Sequence, residues 1–286
     1  MSSALADIFH KAAELNVSDP RRGDNVVSLP AGSEVIACGD IHGHRANLNR
    51  IIAYADLPAR PERQLVLQEI VHGPPDQRTG HDRSVDVLLR AARLKIAQPG
   101  QVTFLLGNHD IAQASGNEIT KAGRGVCESF ILGVRFAVGP DAADEVLEAV
   151  KAFLLSLPLA ARCPGGTLLC HTLPTPQRMA LAGEDIPAGA YTPESIHRGG
   201  PVYEWTWGRK QTPEQIDRLA EHLGVSYFVL AHQHIPTGHE VLSPRAILLT
   251  SEHDRGAILQ FSADTALTEQ TALAALKPIA ALAAGS

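Results

Sequence analysis

Five short apolar runs in this chain each stop at a residue with an oxygen or nitrogen suited to metal ligation. VIACG runs into Asp40, LVLQ into Glu69, TFLLG into Asn108, TLLC into His171 and FVLA into His232. A short apolar run bounded by polar residues reads as a buried strand. Segments of helical spacing lie between the runs, RANLNRIIAYADL after the first and RSVDVLLRAARLKIA after the second. Strand and helix in alternation predict an α/β domain. In open α/β sheets the carboxyl edge of the strands is where ligands bind, and here that edge carries all five polar residues.

The remainder of the chain fits around that domain. Leu5, Ile8, Phe9, Ala12 and Leu15 predict a helix over residues 2–15, followed by the polar loop SDPRRGDN. Residues 1–33 are expected to form a helical appendage on a main domain of residues 34–286. TFLL leads into a long irregular region, and residues 143–157 predict an amphipathic helix. Pro174, Pro176, Pro187, Pro193 and Pro201 mark residues 173–201 as a surface excursion of the kind that carries function. A helix over 213–223 precedes the strand at 227–231, and AILLT (246–250) and GAILQFS (256–262), joined by EHDR, read as an antiparallel pair. The Ala-rich residues 272–284 predict a terminal helix, with a disordered tail as the alternative. No repeat of 20–50 residues and no dividing linker interrupts the sequence.

Composition narrows the function classes. With 44% hydrophobic and 20% charged residues the chain suits a soluble globular protein, and its net charge of −6 gives no reason for general nucleic-acid binding. No stretch approaches the roughly 18 apolar residues of a membrane span, and Asp7 interrupts the apolar part of the N-terminus, unlike a signal peptide. The expected location is cytoplasmic. Cys38, Cys127, Cys163 and Cys170 lack CxxC spacing and read as buried small hydrophobes.

The 13 histidines are the informative residues. His42, His109 and His234 each lie within two residues of a strand tip, so carboxylate, amide and imidazole donors gather on one edge. That donor set suits Mn, Fe or Zn, and the absence of a thiolate cluster argues against a structural zinc. Seven or eight donors exceed what one ion takes, so two divalent ions are implied, with a carboxylate as the bridge. Such a pair clamps an in-line displacement at phosphorus and acidifies a bridging water into the nucleophile. The reaction class is hydrolysis of phosphoesters or phosphoanhydrides.

These residues resemble the calcineurin-like metallophosphoesterases, and within them the phosphoprotein phosphatase branch that includes symmetrical dinucleoside tetraphosphatases. GDIHGH is similar to the GDxHG motif, LLGNHD to GNHE/D, LLCHTLP to the VHGG strand and VLAHQHIPTGHE to an Ala-His-Gln segment. ILLTSEHDRGAILQF resembles the closing segment. The resemblance implies an αββα sandwich of two mixed β-sheets flanked by helices. It makes Asp40 and His42 ligands of a first metal, Glu69 the bridge, and Asn108, His171 and His232 ligands of a second. His234 is either a further first-metal ligand, as in branches with GHxH, or not a ligand, as in the Ala-His-Gln branch. His109 is expected to protonate the leaving oxygen.

The second motif departs from the family. GDxxDRG is replaced by QEIVHGPPDQRTG, with Glu69 for the bridging aspartate and His72 in register for the aspartate that orients the general acid. Asp76, in an apparent insertion from Gly73 to Asp82, is the alternative orienting group. The arginine of that motif is missing in register, with Arg78 the nearest substitute, and Arg209 in VYEWTWGR is a second candidate phosphate clamp. Trp205 and Trp207 offer either a surface for a nucleobase or packing under the long loop. The implied substrate is a phosphoprotein, a nucleoside polyphosphate or a small phosphoester. The alternative is a catalytically weakened module that binds metal and phosphorylated ligands.

Overall fold

Strands buried on both faces demand cover on both sides, and two sheets packed face to face under two helical layers supply it. The computed structural model describes residues 4–121 and 123–283. Among these the strands in chain order are β1 (Arg22–Gly23), β2 (Val26–Ser28), β3 (Glu34–Asp40), β4 (Arg63–Gln68), β5 (Val102–Leu105), β6 (Thr120–Lys121), β7 (Arg124–Gly125) and β8 (Ala160–Arg162). They continue with β9 (Thr167–Cys170), β10 (Tyr227–Leu230), β11 (His239–Ser243), β12 (Ala246–Leu249), β13 (Ala257–Ser262) and β14 (Leu276–Pro278). One mixed sheet has the order β14-β13-β3-β4-β5 and the other β1-β2-β8-β9-β10-β12-β11, with β6 and β7 as a separate hairpin. The segment before residue 34 thus adds β1 and β2 to the edge of a sheet, β2 lying parallel to β8.

The helices are α1 (Ala4–Val17), α2 (Arg45–Ala55), α3 (Ser84–Ala97), α4 (Asn108–Ser115), α5 (Val126–Val138), α6 (Pro140–Leu155), α7 (Met179–Ala182), α8 (Pro193–Ile196), α9 (Pro201–Trp207), α10 (Pro213–Leu223) and α11 (Glu269–Ala275). Alternation along each strand separates the layers. Val35, Ala37, Val66 and Leu105 face Leu169, Val229, Ile247 and Leu249 between the sheets. Ile36, Cys38, Leu65 and Leu67 turn outward onto α1 through α6, where Phe153 meets Phe9 and Phe104. Leu168, Phe228, Leu230 and Leu248 turn outward onto Trp205 of α9 and Ile216 and Leu219 of α10. No helix among the described residues is long and apolar enough to cross a membrane.

Several expectations are corrected. AILLT and GAILQFS are not an antiparallel pair: β12 lies in one sheet beside β10 and β11, and β13 in the other beside β3 and β14. The intervening loop crosses between sheets because Ser251, fully buried, accepts the Gly39 N–H at 3.1 Å and donates to the Ala257 carbonyl at 2.8 Å. The region after TFLL is helical rather than irregular, holding α4 and α5. The start of α5 is capped from a distance, Glu118 accepting the N–H groups of Cys127 and Glu128 at 2.8 and 3.0 Å, so no local start signal precedes it. The terminal helix ends at Ala275, and Leu276–Pro278 pairs with the outer edge of β13, where a proline is tolerated. Residue 284 of the expected helix lies outside the described residues. The half-polar edge strand β11 was not anticipated.

The two sheets come together at the tips of β3 and β12, where Asp40 bridges Thr250 and the Ser251 N–H donates to the Asp40 carbonyl at 3.1 Å. Gly39 permits this approach, since a Cβ there would stand 2.1 Å from the Leu249 carbonyl oxygen. Gly39→Ala is expected to destabilise the fold by about 1–3 kcal/mol, read as a lower urea midpoint; an unchanged midpoint would show that the sheets have slack at this point.

Candidate metal centre

The strand tips do converge. Glu69 belongs to two clusters of ligand atoms lying within 4.8 Å of one another, one with His42 and His109 and one with Asp40 and His171. The loop after β3 is bonded to the loop after β4, with the N–H groups of Ile41 and His42 both donating to the Glu69 carbonyl. Asp40 reaches the other sheet, its Oδ2 accepting the His232 N–H at 3.0 Å. His42, Glu69, His72 and His232 have φ of +40°, +33°, +62° and +75°, a conformation costly for residues other than glycine. Such strain, about 1–3 kcal/mol per residue, persists where surrounding structure enforces it and clusters at functional sites. The added methylene of Glu69 runs beneath Gly107, where a Cβ would stand 2.2 Å from Glu69 Cγ.

Outer hydrogen bonds aim the imidazoles inward. His42 Nδ1 donates to the Val71 carbonyl at 3.0 Å, leaving Nε2 toward Glu69 Oε2 at 3.5 Å. His171 Nδ1 faces Gln68 Oε1 at 3.3 Å, turning Nε2 toward Asn108 Oδ1 (3.0 Å), His232 Nδ1 (3.1 Å) and Glu69 Oε1 (3.4 Å). Asn108 Oδ1 also lies 2.8 Å from His232 Nδ1. Burial is the main reason that His171 is held well below the usual histidine range and His232 is pushed down to about 3, with neighbouring His42 and Arg209 adding to both. Poorly protonated rings whose nitrogens gather on one another, on an amide oxygen and on a carboxylate form a site that wants a cation. The carboxylates show the same deficit: burial, then the charges of Asp40 and Asp110, raise Glu69 well above the ordinary carboxylate range, and burial pushes Asp110 up to about 7. The donors present therefore fit divalent metal.

The other sequence-predicted residues divide. His72 lies against His109, Nδ1 to Nδ1 at 2.8 Å, whereas Asp76 is exposed and caps its own turn by accepting the N–H groups of Arg78 and Thr79. Asp76 therefore does not reach the general-acid position, because its carboxylate is spent locally. Arg78 stands exposed on the same turn. His234 falls outside both ligand clusters and pairs with Glu252 at 2.6 Å. Arg209 is exposed yet close enough for its charge to depress His171 and His232. Trp205 is buried in the core and Trp207 stacks on Tyr203 at 5.1 Å, so this pair packs rather than presenting a base platform. Sequence reasoning missed Glu252, whose charge adds to the rise of Glu69 and whose Oε2 lies 4.0 Å from His42, and Gln113, which meets His72 at 2.8 Å. Gln113 had a signal in its i,i+4 spacing from His109 on α4.

The model of the calcineurin-like phosphoesterase family matches residues 33–236. The chain belongs to that family. This calcineurin-like phosphoesterase is similar in fold to a Saccharomyces cerevisiae protein serine/threonine phosphatase with similarity to human phosphatase PP5, at 15% identity, TM-score 0.66, over 90% of this chain and 82% of that one. It is also similar to the cold-active protein-tyrosine phosphatase of a Shewanella species, at 15% identity, TM-score 0.59, over 88% and 80% of the two chains. Comparison with curated proteins finds no match. The phosphoesterase is a hydrolase, and its family works through a dimetal centre.

Of residues 73–82, Gly73, Pro74 and Pro75 line the cleft beside His42 and His72. Pro75 bridges Asp82, whose buried Oδ1 accepts the Ser84 N–H at 2.7 Å at the start of α3. Burial pushes Asp82 up to about 6. The unfolded chain ionises this group near the ordinary aspartate value, so the native state is penalised as pH rises, fully so above pH 6. Asp82→Asn, which keeps an acceptor, is expected to stabilise the metal-free protein by about 2–3 kcal/mol at pH 8 and by much less at pH 4. Urea midpoints of both proteins at the two pH values check this, and equal gains would mean that Asp82 is not the source.

Proposed function

We propose that this hydrolase cleaves phosphomonoesters whose leaving group enters the cleft beside His42 and His72. Asp40, His42 and Glu69 would hold one divalent ion and Glu69, Asn108, His171 and His232 a second, with Mn, Fe or Zn as the candidates. When bound, the ions supply an activated water and neutralise charge on the phosphoryl oxygens. Arg209, which the electrostatics place near His171 and His232, is the proposed phosphate clamp. His109 has Nδ1 engaged by His72, so Nε2 is the atom assigned to deliver a proton to the leaving oxygen as the P–O bond breaks. The observation that carries this reading is the placement of Glu69 in both ligand clusters, one of which also contains His109.

The cleft argues for the kind of substrate. It encloses about 710 Å³ between His42 and His72 on one side, Pro74, Pro75 and Val126 on another, and Glu252 on a third. Its walls are largely carbon, which suits an organic leaving group. The Glu252 carboxylate would face a second phosphate at close range, so a phosphomonoester fits better than a nucleoside polyphosphate.

Manganese is expected to stimulate phosphate release from an aryl phosphate, with phosphopeptide cleaved faster than dinucleoside tetraphosphate. His109→Asn should lower kcat by about 10²–10⁴-fold while retaining bound metal. Elemental analysis of the purified protein is expected to give two ions per chain, reduced by Asp40→Asn. Two bound ions without turnover on any phosphoester would mark a binding module instead.

A further inference from the structure

We infer that Gln113 is a positioning residue for the general acid: its side-chain oxygen sets the tautomer of His72, and His72 in turn decides which nitrogen of His109 faces the substrate. The kinetic half of this inference rests on the phosphatase reading, and the tautomer half does not. Gln113 and His109 lie on one face of α4, a single turn apart, and His72 inserts from the loop after β4. Gln113 Oε1 is 2.8 Å from His72 Nε2, and His72 Nδ1 is 2.8 Å from His109 Nδ1.

The chain of contacts has one consistent direction. An amide oxygen only accepts, so His72 Nε2 carries the hydrogen. A neutral imidazole has one N–H, which makes His72 Nδ1 the acceptor and His109 Nδ1 the donor. His109 is thereby held with Nε2 as its working atom. The His72 ring cannot swing away cheaply, being 3% exposed, edge-on to Phe130 at 5.9 Å and fixed at a left-handed φ.

A neutral relay also makes electrostatic sense here. Asp40, Asp110 and Glu252 already crowd Glu69 with like charge. A carboxylate in place of His72 would orient His109 equally well but add one more negative charge to a buried, anion-rich site. Imidazole backed by an amide supplies direction without charge.

Long-range ¹H–¹⁵N correlation of the histidine rings in the metal-free protein is expected to show His72 protonated on Nε2 and His109 on Nδ1. Gln113→Leu should scramble the His72 tautomer, and Gln113→Glu, which keeps an acceptor, should preserve it. In steady-state kinetics, Gln113→Leu should lower kcat on phenyl phosphate about tenfold and on p-nitrophenyl phosphate several-fold less, because the better leaving group needs less proton donation. Gln113→Glu should recover most of the phenyl phosphate rate. His72 protonated on Nδ1 in the unaltered protein would overturn the relay, as would equal losses on both substrates, which mark a merely structural role. If no phosphoester is turned over at all, the phosphatase reading falls while the spectra still decide the tautomer.

Discussion

Everything at the working edge of this fold is arranged around buried carboxyl groups packed too closely for all of them to ionise without a compensating cation. Asp40, Glu69 and Asp110 sit almost out of contact with water, with Glu252 alongside, and the buried His171 ring beside them resists protonation. Such a cluster is tolerable only if something positive belongs there. The rest of the architecture holds the cluster together against that repulsion. Two covered sheets fix the strand directions, Gly39 lets β3 approach β12, and strained residues at the strand ends turn donors back toward a common point.

The departure of the second motif from the family pattern becomes intelligible in this setting. The extra methylene of Glu69 finds room because its chain passes under Gly107, where no side chain competes for the space. The histidine that stands in register for the family's aspartate has its ring held by Phe130 and Gln113. The two changes are compatible in charge: Glu69 already lies among like-charged carboxylates, and a histidine at position 72 adds no further negative charge. The intervening residues, which looked like a disruption of the motif, fold into a turn capped by Asp76 and closed by the Pro75–Asp82 bridge, and they line one side of the cleft.

Much of this was legible beforehand. The strands at 34–40, 63–68, 167–170 and 227–230 announced themselves as apolar runs, and α10 began with Thr212 and Pro213 and ended at Gly224, signals that are local in sequence. What stayed hidden depended on distant partners. The start of α5 has no local cap because Glu118 provides it, β11 is a half-polar edge strand, and β12 and β13 diverge into different sheets because of one buried serine. At the site, Asp76 and His72 were rival candidates to orient His109, and only packing showed that Asp76 spends its carboxylate on its own turn.

The sequence by itself determined the α/β alternation and the identity of the polar residues at the strand ends, because burial on both faces and the change to a ligating residue are written into consecutive positions. Tertiary structure decided which of those residues meet. The sharing of Glu69 between two ligand clusters, the contact of His72 with His109, the exclusion of His234 and the arrival of Glu252 are relations between segments far apart in the chain, and no local pattern encodes a distance across two sheets.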